Sequence, residues 1–231
     1  MRGLPGGFTE AGDPLRILAF TDFHGYGEAL RRAVQVSGEV DPDLILVAGD
    51  LAFHGLEASE EALKGLSGAS RRLFFVPGNM DPLELAGFSS GNVYSLHGRC
   101  LSYGGVGFLG LGGAPRGPFG TPFEYDEGYA ENLLRRGLGE YRDNRLIVVS
   151  HSPPYGCRLD LTSRGVHAGC RALRRFVEEA KPSLVVCGHI HEARGVEELS
   201  EATVVNPGPV YAGYYAYIEV DGGIRVRLGN P

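Results

Sequence analysis

The chain has 231 residues, 43% of them hydrophobic and 22% charged, with a net charge of −6. That composition suits a globular protein with a sizeable core, and the acidic balance argues against one that wraps nucleic acid, because neutralising phosphates takes clustered Lys and Arg. The four cysteines (Cys100, Cys157, Cys170 and Cys187) lack CxxC spacing and no apolar run is long enough to span a bilayer, which speaks against a zinc knuckle, a disulfide framework and a membrane helix.

Residues 1–14 read as a flexible N-terminal arm, with Gly and Pro where a secretory signal would carry its apolar segment. The expected location is the cytoplasm, and 15–231 is expected to form a single domain. "RILAF" (16–20) is a compact β-type run, and "GEALRRAVQV" (27–36) follows with Leu30, Ala33 and Val34 at helical spacing. "DLILVAGD" (43–50) and "RLFFVPGN" (72–79) are further buried strands, separated by a helix at "SEEALKGL" (59–66). A short helix is expected to begin near "DPLEL". Segment 87–125, rich in Gly and Tyr, suggests antiparallel strands and long loops. The strand–helix rhythm returns with helices around 126–136 and 168–180 and strands at 145–151 and 183–189. On the second of these helices Arg171, Arg174 and Arg175 read as a solvated face. The tail predicts three strands, the last two joined by the hairpin signal "DGG". Continuous apolar strands alternating with helices predict an α/β fold, a sheet flanked by helices.

Five of these strands end in polar residues of one chemical kind. The first ends in Asp22 and His24, the second in Asp50 and the third in Asn79; the later ones end in His151 and in the pair His189 and His191. Ligands of such sheets bind at the carboxyl ends of strands. Two Asp, one Asn and four His without a thiolate suit Mn²⁺, Fe²⁺ or Zn²⁺ better than Ca²⁺ or a Cys-based structural zinc. Seven donors are too many for one ion, whereas two ions about 3.5–4 Å apart and sharing a carboxylate use them economically and clamp a phosphoryl group.

The ordered set DxH, GD, GNxD, a lone His and GHxH, followed by the "NPG" of Asn206 to Gly208, resembles the calcineurin-like metallophosphoesterase superfamily, in particular its small prokaryotic members. The resemblance runs from about Leu15 to the C-terminus. It implies a four-layer α/β/β/α sandwich of two mixed sheets and two divalent transition-metal ions (Mn, Fe, Zn or Ni). Carried over by motif, it implies that Asp22, His24, Asp50 and His191 bind one ion. Asp50, Asn79, His151 and His189 would bind the other, with Asp50 as the bridge and a hydroxide held between the ions attacking phosphorus in line.

Met80 departs from the pattern, since the family commonly has His there, thought to protonate the leaving oxygen; a thioether cannot. The neighbouring Asp81 is expected to act as a helix N-cap, with Pro82 at the first helical position. His167, in "GVHAGC", reads either as a loop histidine or as a replacement acid, since imidazole titrates in the useful range. His54 and His97 show no matching partner and are expected in turns or at the surface. Tyr211, Tyr214 and Tyr215 could stack on a base but fit sheet packing better, and no role attaches to Asp160 or Arg158 beyond a place near the cleft.

The expected function is a dinuclear metal-dependent phosphoesterase, a hydrolase acting on the phosphodiester bond of a small soluble substrate, with nucleotides among the candidates. Neither nucleic acid nor a membrane is an expected partner. The rival readings are a non-catalytic nucleotide- or partner-binding protein on the same fold, against which seven retained ligands speak, and a nuclease, against which the acidic charge speaks.

Overall fold

The structure, a computed structural model, describes residues 14–25, 27–52 and 55–230; His54 and nearly all of the N-terminal arm lie outside the described residues. The chain opens with β1 (Leu15–Phe20), α1 (Gly27–Val40), β2 (Leu44–Ala48), α2 (Leu56–Ser67) and β3 (Arg72–Val76). The middle holds β4 (Ser89–Ser90), β5 (Val93–Ser95), β6 (Cys100–Tyr103), β7 (Val106–Leu111), β8 (Ala114–Pro115) and β9 (Glu124–Tyr125). There follow α3 (Glu127–Glu140), β10 (Leu146–Ser150), α4 (Arg171–Ala180), β11 (Leu184–Val186), β12 (Gly195–Leu199), β13 (Ala202–Asn206), β14 (Tyr215–Val220) and β15 (Ile224–Gly229).

Two mixed sheets result. The first has the order β15-β14-β1-β2-β3-β5-β4, the second β12-β13-β11-β10-β7-β6. In the first, β1, β2, β3 and β5 run parallel; in the second, β7, β10, β11 and β13 do. The middle segment therefore departs from the antiparallel expectation: β5 and β7 each join a parallel core, and only their hairpin partners β4 and β6 pair antiparallel.

Alternation along the strands builds the layers. Ile17, Ala19, Leu46, Phe74 and Val76 of the first sheet pack against Phe108, Ile147, Val149 and Val186 of the second. The opposite faces turn outward. Leu18, Phe20, Ile45 and Phe75 meet Ala29 and Ala33 of α1 and Leu63 and Leu66 of α2. Leu109, Val148 and Val185 meet Leu134 of α3 and Leu173 and Phe176 of α4. The architecture is the four-layer α/β/β/α sandwich. Each fully buried aliphatic or aromatic side chain contributes about 1.5–3 kcal/mol, and these strands are buried on both faces, which is why they read as unbroken apolar runs.

Local signals set the helix ends. Asp126 caps α3 by accepting from Tyr129 N at 2.9 Å, and α4 closes on Lys181 in the left-handed region at φ 48°. The expected DGG hairpin joins β14 to β15. No helix among the described residues is long and apolar enough to cross a membrane.

Two expectations fail here. His97 is buried rather than at the surface: its Nδ1 accepts from Gly112 N at 2.9 Å and its Nε2 lies 3.1 Å from Tyr129 Oη. Asp81 is not a helix cap either. The 3₁₀ turn Leu83–Gly87 has Pro82 at its cap position and no side-chain cap bond, because the Asp81 carboxylate is fully buried and turned the other way. It accepts from Leu51 N, Ala52 N, Gly78 N and the Ser59 hydroxyl.

Candidate metal centre

The parallel strands of both sheets end along one edge, and their loops are bonded to one another. Asp22 N donates to Gly49 O and His24 N to Asp50 O, Gly113 N bonds to Pro77 O across the two sheets, and Gly188 N to His151 O. The backbone is strained where the polar residues sit. Asp22, His24, Asp50 and His189 have φ of 56°, 52°, 54° and 69°. A left-handed residue with a side chain costs roughly 1–3 kcal/mol and persists only where its surroundings fix it, typically at functional sites.

Two glycines permit the close approach of these loops. A Cβ on Gly78 would run into the Asp50 carboxylate. One on Gly188 would run into the Thr21 hydroxyl and lie 2.8 Å from Asp22 Oδ2. The Gly that precedes Asn79, and the Gly that precedes His189, are thus steric requirements of the site.

The side chains converge from five strand ends. His191 Nε2 lies 3.2 Å from Asp22 Oδ1 and 3.0 Å from His24 Nε2. His24 Nε2 lies 3.8 Å from both Asp22 Oδ1 and Asp50 Oδ2. On the other side, His151 Nε2 lies 2.8 Å from Asn79 Oδ1 and 3.5 Å from Asp50 Oδ1, and the His189 ring stands 5.0 Å from that of His151. Among the described residues, two groups have donor atoms close enough to share an ion: Asp22, His24 and His191, and Asp22, Asp50 and His151. Asp22 belongs to both.

Outer contacts aim these donors. The Thr21 hydroxyl donates to Asp22 Oδ2 and Met80 N to Asp50 Oδ1. Asn206 Nδ2 donates to Ile190 O while its Oδ1 accepts from Gly208 N, so the "NPG" segment braces the turn that carries His189 and His191. His151 Nδ1 donates to Ala48 O at 2.7 Å, which fixes the ring with Nε2 facing the Asn79 carbonyl oxygen at 2.8 Å. Such outer bonds set the orientation of a metal-ligating imidazole.

The charges fit the same reading. Burial pushes the Asp50 carboxyl up to about 7, with Asp22 and Asp81 adding to the rise against the pull of His151. Burial would raise Asp22 as well, but the hydrogen bond to His191 and the field of His151 bring it down to about 2. Burial lowers His24 to about 4 and His189 to about 3, so both rings are neutral near pH 7 and offer lone pairs. His191 is raised by its hydrogen bond to Asp22. A bound dication would reverse the penalty on Asp50 and supply the positive charge this pocket favours. The donor set fits divalent ions.

The structure brings Asp22, His24, Asp50, Asn79, His151, His189 and His191 into one cluster. His167 is not among these donors; its Nδ1 is bonded to Asp160 Oδ1 at 2.6 Å and its side chain is 39% exposed. The sequence reading assigned Tyr211 to sheet packing rather than to the site. Tyr211 lies in the 3₁₀ turn Val210–Ala212 rather than in a strand, and its hydroxyl stands 3.0 Å from His191 Nδ1. The only sequence signal was its place just after "NPG". Tyr215 does lie in β14, and Tyr214 packs under the Arg194 guanidinium.

Residues 15–193 match the family model of the calcineurin-like phosphoesterases. The uncharacterized protein MJ1162 of Methanocaldococcus jannaschii is 29% identical over 209 residues, 88% of this chain and 91% of that protein. Among solved structures, TT1561 of Thermus thermophilus has the same fold, with a TM-score of 0.75 and 23% identity over 94% of this chain and 99% of that one. A novel archaeal phosphodiesterase shares it at a TM-score of 0.51 and 15% identity, over 93% of this chain and 99% of the other. With the family model covering well over half of its length, and the strand-end motifs assembled on the expected sandwich, the chain belongs to the calcineurin-like phosphoesterase family.

Proposed function

We propose that the protein is a dinuclear metal-dependent phosphoesterase that hydrolyses a phosphodiester bond in a small soluble substrate. Asp22, His24, Asp50 and His191 would hold one ion; Asp50, Asn79, His151 and His189 the other. The observation that carries this reading is the convergence of carboxylates and imidazoles from five strand ends, with the two Asp50 oxygens turned to opposite sides, Oδ2 3.8 Å from His24 Nε2 and Oδ1 3.5 Å from His151 Nε2. Divalent ions bound there would lower the pKa of water and neutralise the charge on a phosphoryl group.

The chain's own residues define the rest. Ala48 O fixes the His151 ring, Thr21 and the Met80 amide orient the two carboxylates, and Tyr211 buttresses His191. Met80 itself offers no proton, so departure of the leaving oxygen has to be assisted from elsewhere or proceed unaided. The net charge of −6 favours a small substrate over a polyanion such as duplex DNA.

The test is metal content of the purified protein together with rates on bis-p-nitrophenyl phosphate and p-nitrophenyl phosphate. Two divalent equivalents and faster diester hydrolysis are expected, and Asp50→Asn should sharply lower both occupancy and rate. Full activity with one equivalent overturns the two-ion reading.

A further inference from the structure

The geometry points to His167, held by Asp160, as the proton donor to the leaving oxygen, an inference that rests on the phosphodiesterase reading above. Asp160 is fully buried in a surface loop. Its Oδ2 accepts from Gly156 N at 2.9 Å and Gly169 N at 3.1 Å, which suffices to clip the loop. Its Oδ1 takes the Nδ1–H of His167 at 2.6 Å. A loop clip needs no imidazole, and burying a carboxylate is costly unless its bonds serve something. Bonding Nδ1 to a fixed acceptor holds the ring and presents Nε2 on its far side, the arrangement by which a carboxylate orients a histidine for proton transfer.

The loop is set rigidly beside the centre. It leaves β10 at His151, and Cys170 N returns to Pro153 O. Its 3₁₀ turn Arg158–Asp160 packs on the turn His191–Ala193, and Ser163 N donates to Glu192 Oε1 at 2.7 Å, one residue from His191. Tyr155 lies against the imidazole at 5.6 Å between ring centroids and is covered by the Arg171 guanidinium at 3.5 Å. The site therefore lacks an acid at position 80 and carries an oriented imidazole on the loop beside it.

In the step, the water oxygen forms a new P–O bond while the ester P–O bond breaks. The bonding pair moves to the leaving oxygen, which takes the proton from His167 Nε2. The attacking water releases its proton to solvent and His167 regains one from solvent before the next turnover. The products are a phosphomonoester and an alcohol.

The test compares a dinucleoside phosphate, whose leaving oxygen is an alkoxide, with bis-p-nitrophenyl phosphate, whose phenolate departs with little help. The metal-loaded wild type, His167→Ala and Asp160→Asn are assayed on both, with metal content and Tm measured alongside. His167→Ala should lose about 10²–10⁴-fold in kcat on the dinucleoside phosphate and at least tenfold less on the aryl ester. Added imidazole should restore part of the alkyl rate, which a structural role would not allow. Asp160→Asn should show the same unequal loss on the two esters, and a folded Asp160→Asn protein with the wild-type ratio of rates removes Asp160 from the mechanism. Equal losses on both esters, or none, overturn the role of His167 and leave it a loop residue. A metal-loaded wild type inactive on every ester overturns the phosphodiesterase reading itself, and this inference with it.

Discussion

Removing the Asp81 carboxylate separates two accounts of that residue by magnitude. As a cap on the turn Leu83–Gly87 it would be worth about 1 kcal/mol. As observed, it closes three backbone N–H groups, those of Leu51, Ala52 and Gly78, together with the Ser59 hydroxyl, in a position with no solvent exposure. Each buried N–H left without an acceptor costs about 1–3 kcal/mol, so Asp81→Ala should lose at least about 3 kcal/mol before any relaxation. In a protein of this length 1 kcal/mol moves Tm by roughly 2–4 °C, so the stitch predicts a fall of about 6–12 °C and the cap about 2–4 °C. Calorimetry on the metal-free protein reads the difference, and metal titration of the same variant reads its consequence, because the residues released flank Asp50 and Asn79. A fall in Tm of no more than about 4 °C, with unchanged metal affinity, would refute the stitch.

Three further outcomes follow from the same structure. Burial lowers the His97 imidazole from 6.5 to about 4, so between those values the unfolded chain binds a proton that the folded chain refuses, and stability falls as pH falls. The loss approaches about 3 kcal/mol below pH 4; urea midpoints at pH 7 and 4.5 should show a larger acid loss for wild type than for His97→Gln, and equal losses would count against it. Gly188→Ala forces a methyl onto Thr21 and Asp22 and should cost roughly 1–3 kcal/mol along with divalent-ion binding, whereas a stable variant of normal affinity would show that the loops can shift. Tyr211→Phe removes the hydroxyl beside His191 Nδ1 and should weaken Mn²⁺ binding by about tenfold in calorimetric titration, an unchanged Kd being the contrary result.

The residues converging at the centre were legible because each is announced locally, by an apolar run that ends in a Gly, Ser or Thr followed by a polar side chain. Asp22, Asp50, Asn79, His151 and His189 all follow that rule, and the fold brings their strand ends together. Asp81, His97 and Tyr211 were misread for a common reason. The acceptors and donors that explain them are remote in sequence: Leu51 lies 30 residues from Asp81, Gly112 lies 15 from His97, and His191 lies 20 from Tyr211. The edge strand β12 went unread because "GVEEL" is polar and pairs on one side only. β5 and β7 looked antiparallel because their hairpin partners are adjacent in sequence, while the parallel neighbours that dominate them, β3 and β10, are distant.

The pairing of β1 with β14 joins residues about two hundred positions apart, Leu15 opposite Val220 and Ala19 opposite Ala216. During synthesis β1 can pair with β2 early, but its other edge stays open until nearly the whole chain has left the ribosome. Contacts of such long range are slow to form, and an unpaired apolar strand edge is prone to aggregation meanwhile. β1 is also the strand that delivers Asp22 and His24. The centre therefore cannot mature progressively on the nascent chain, and a protein truncated before β14 should be lost to aggregation rather than persist as a weaker enzyme.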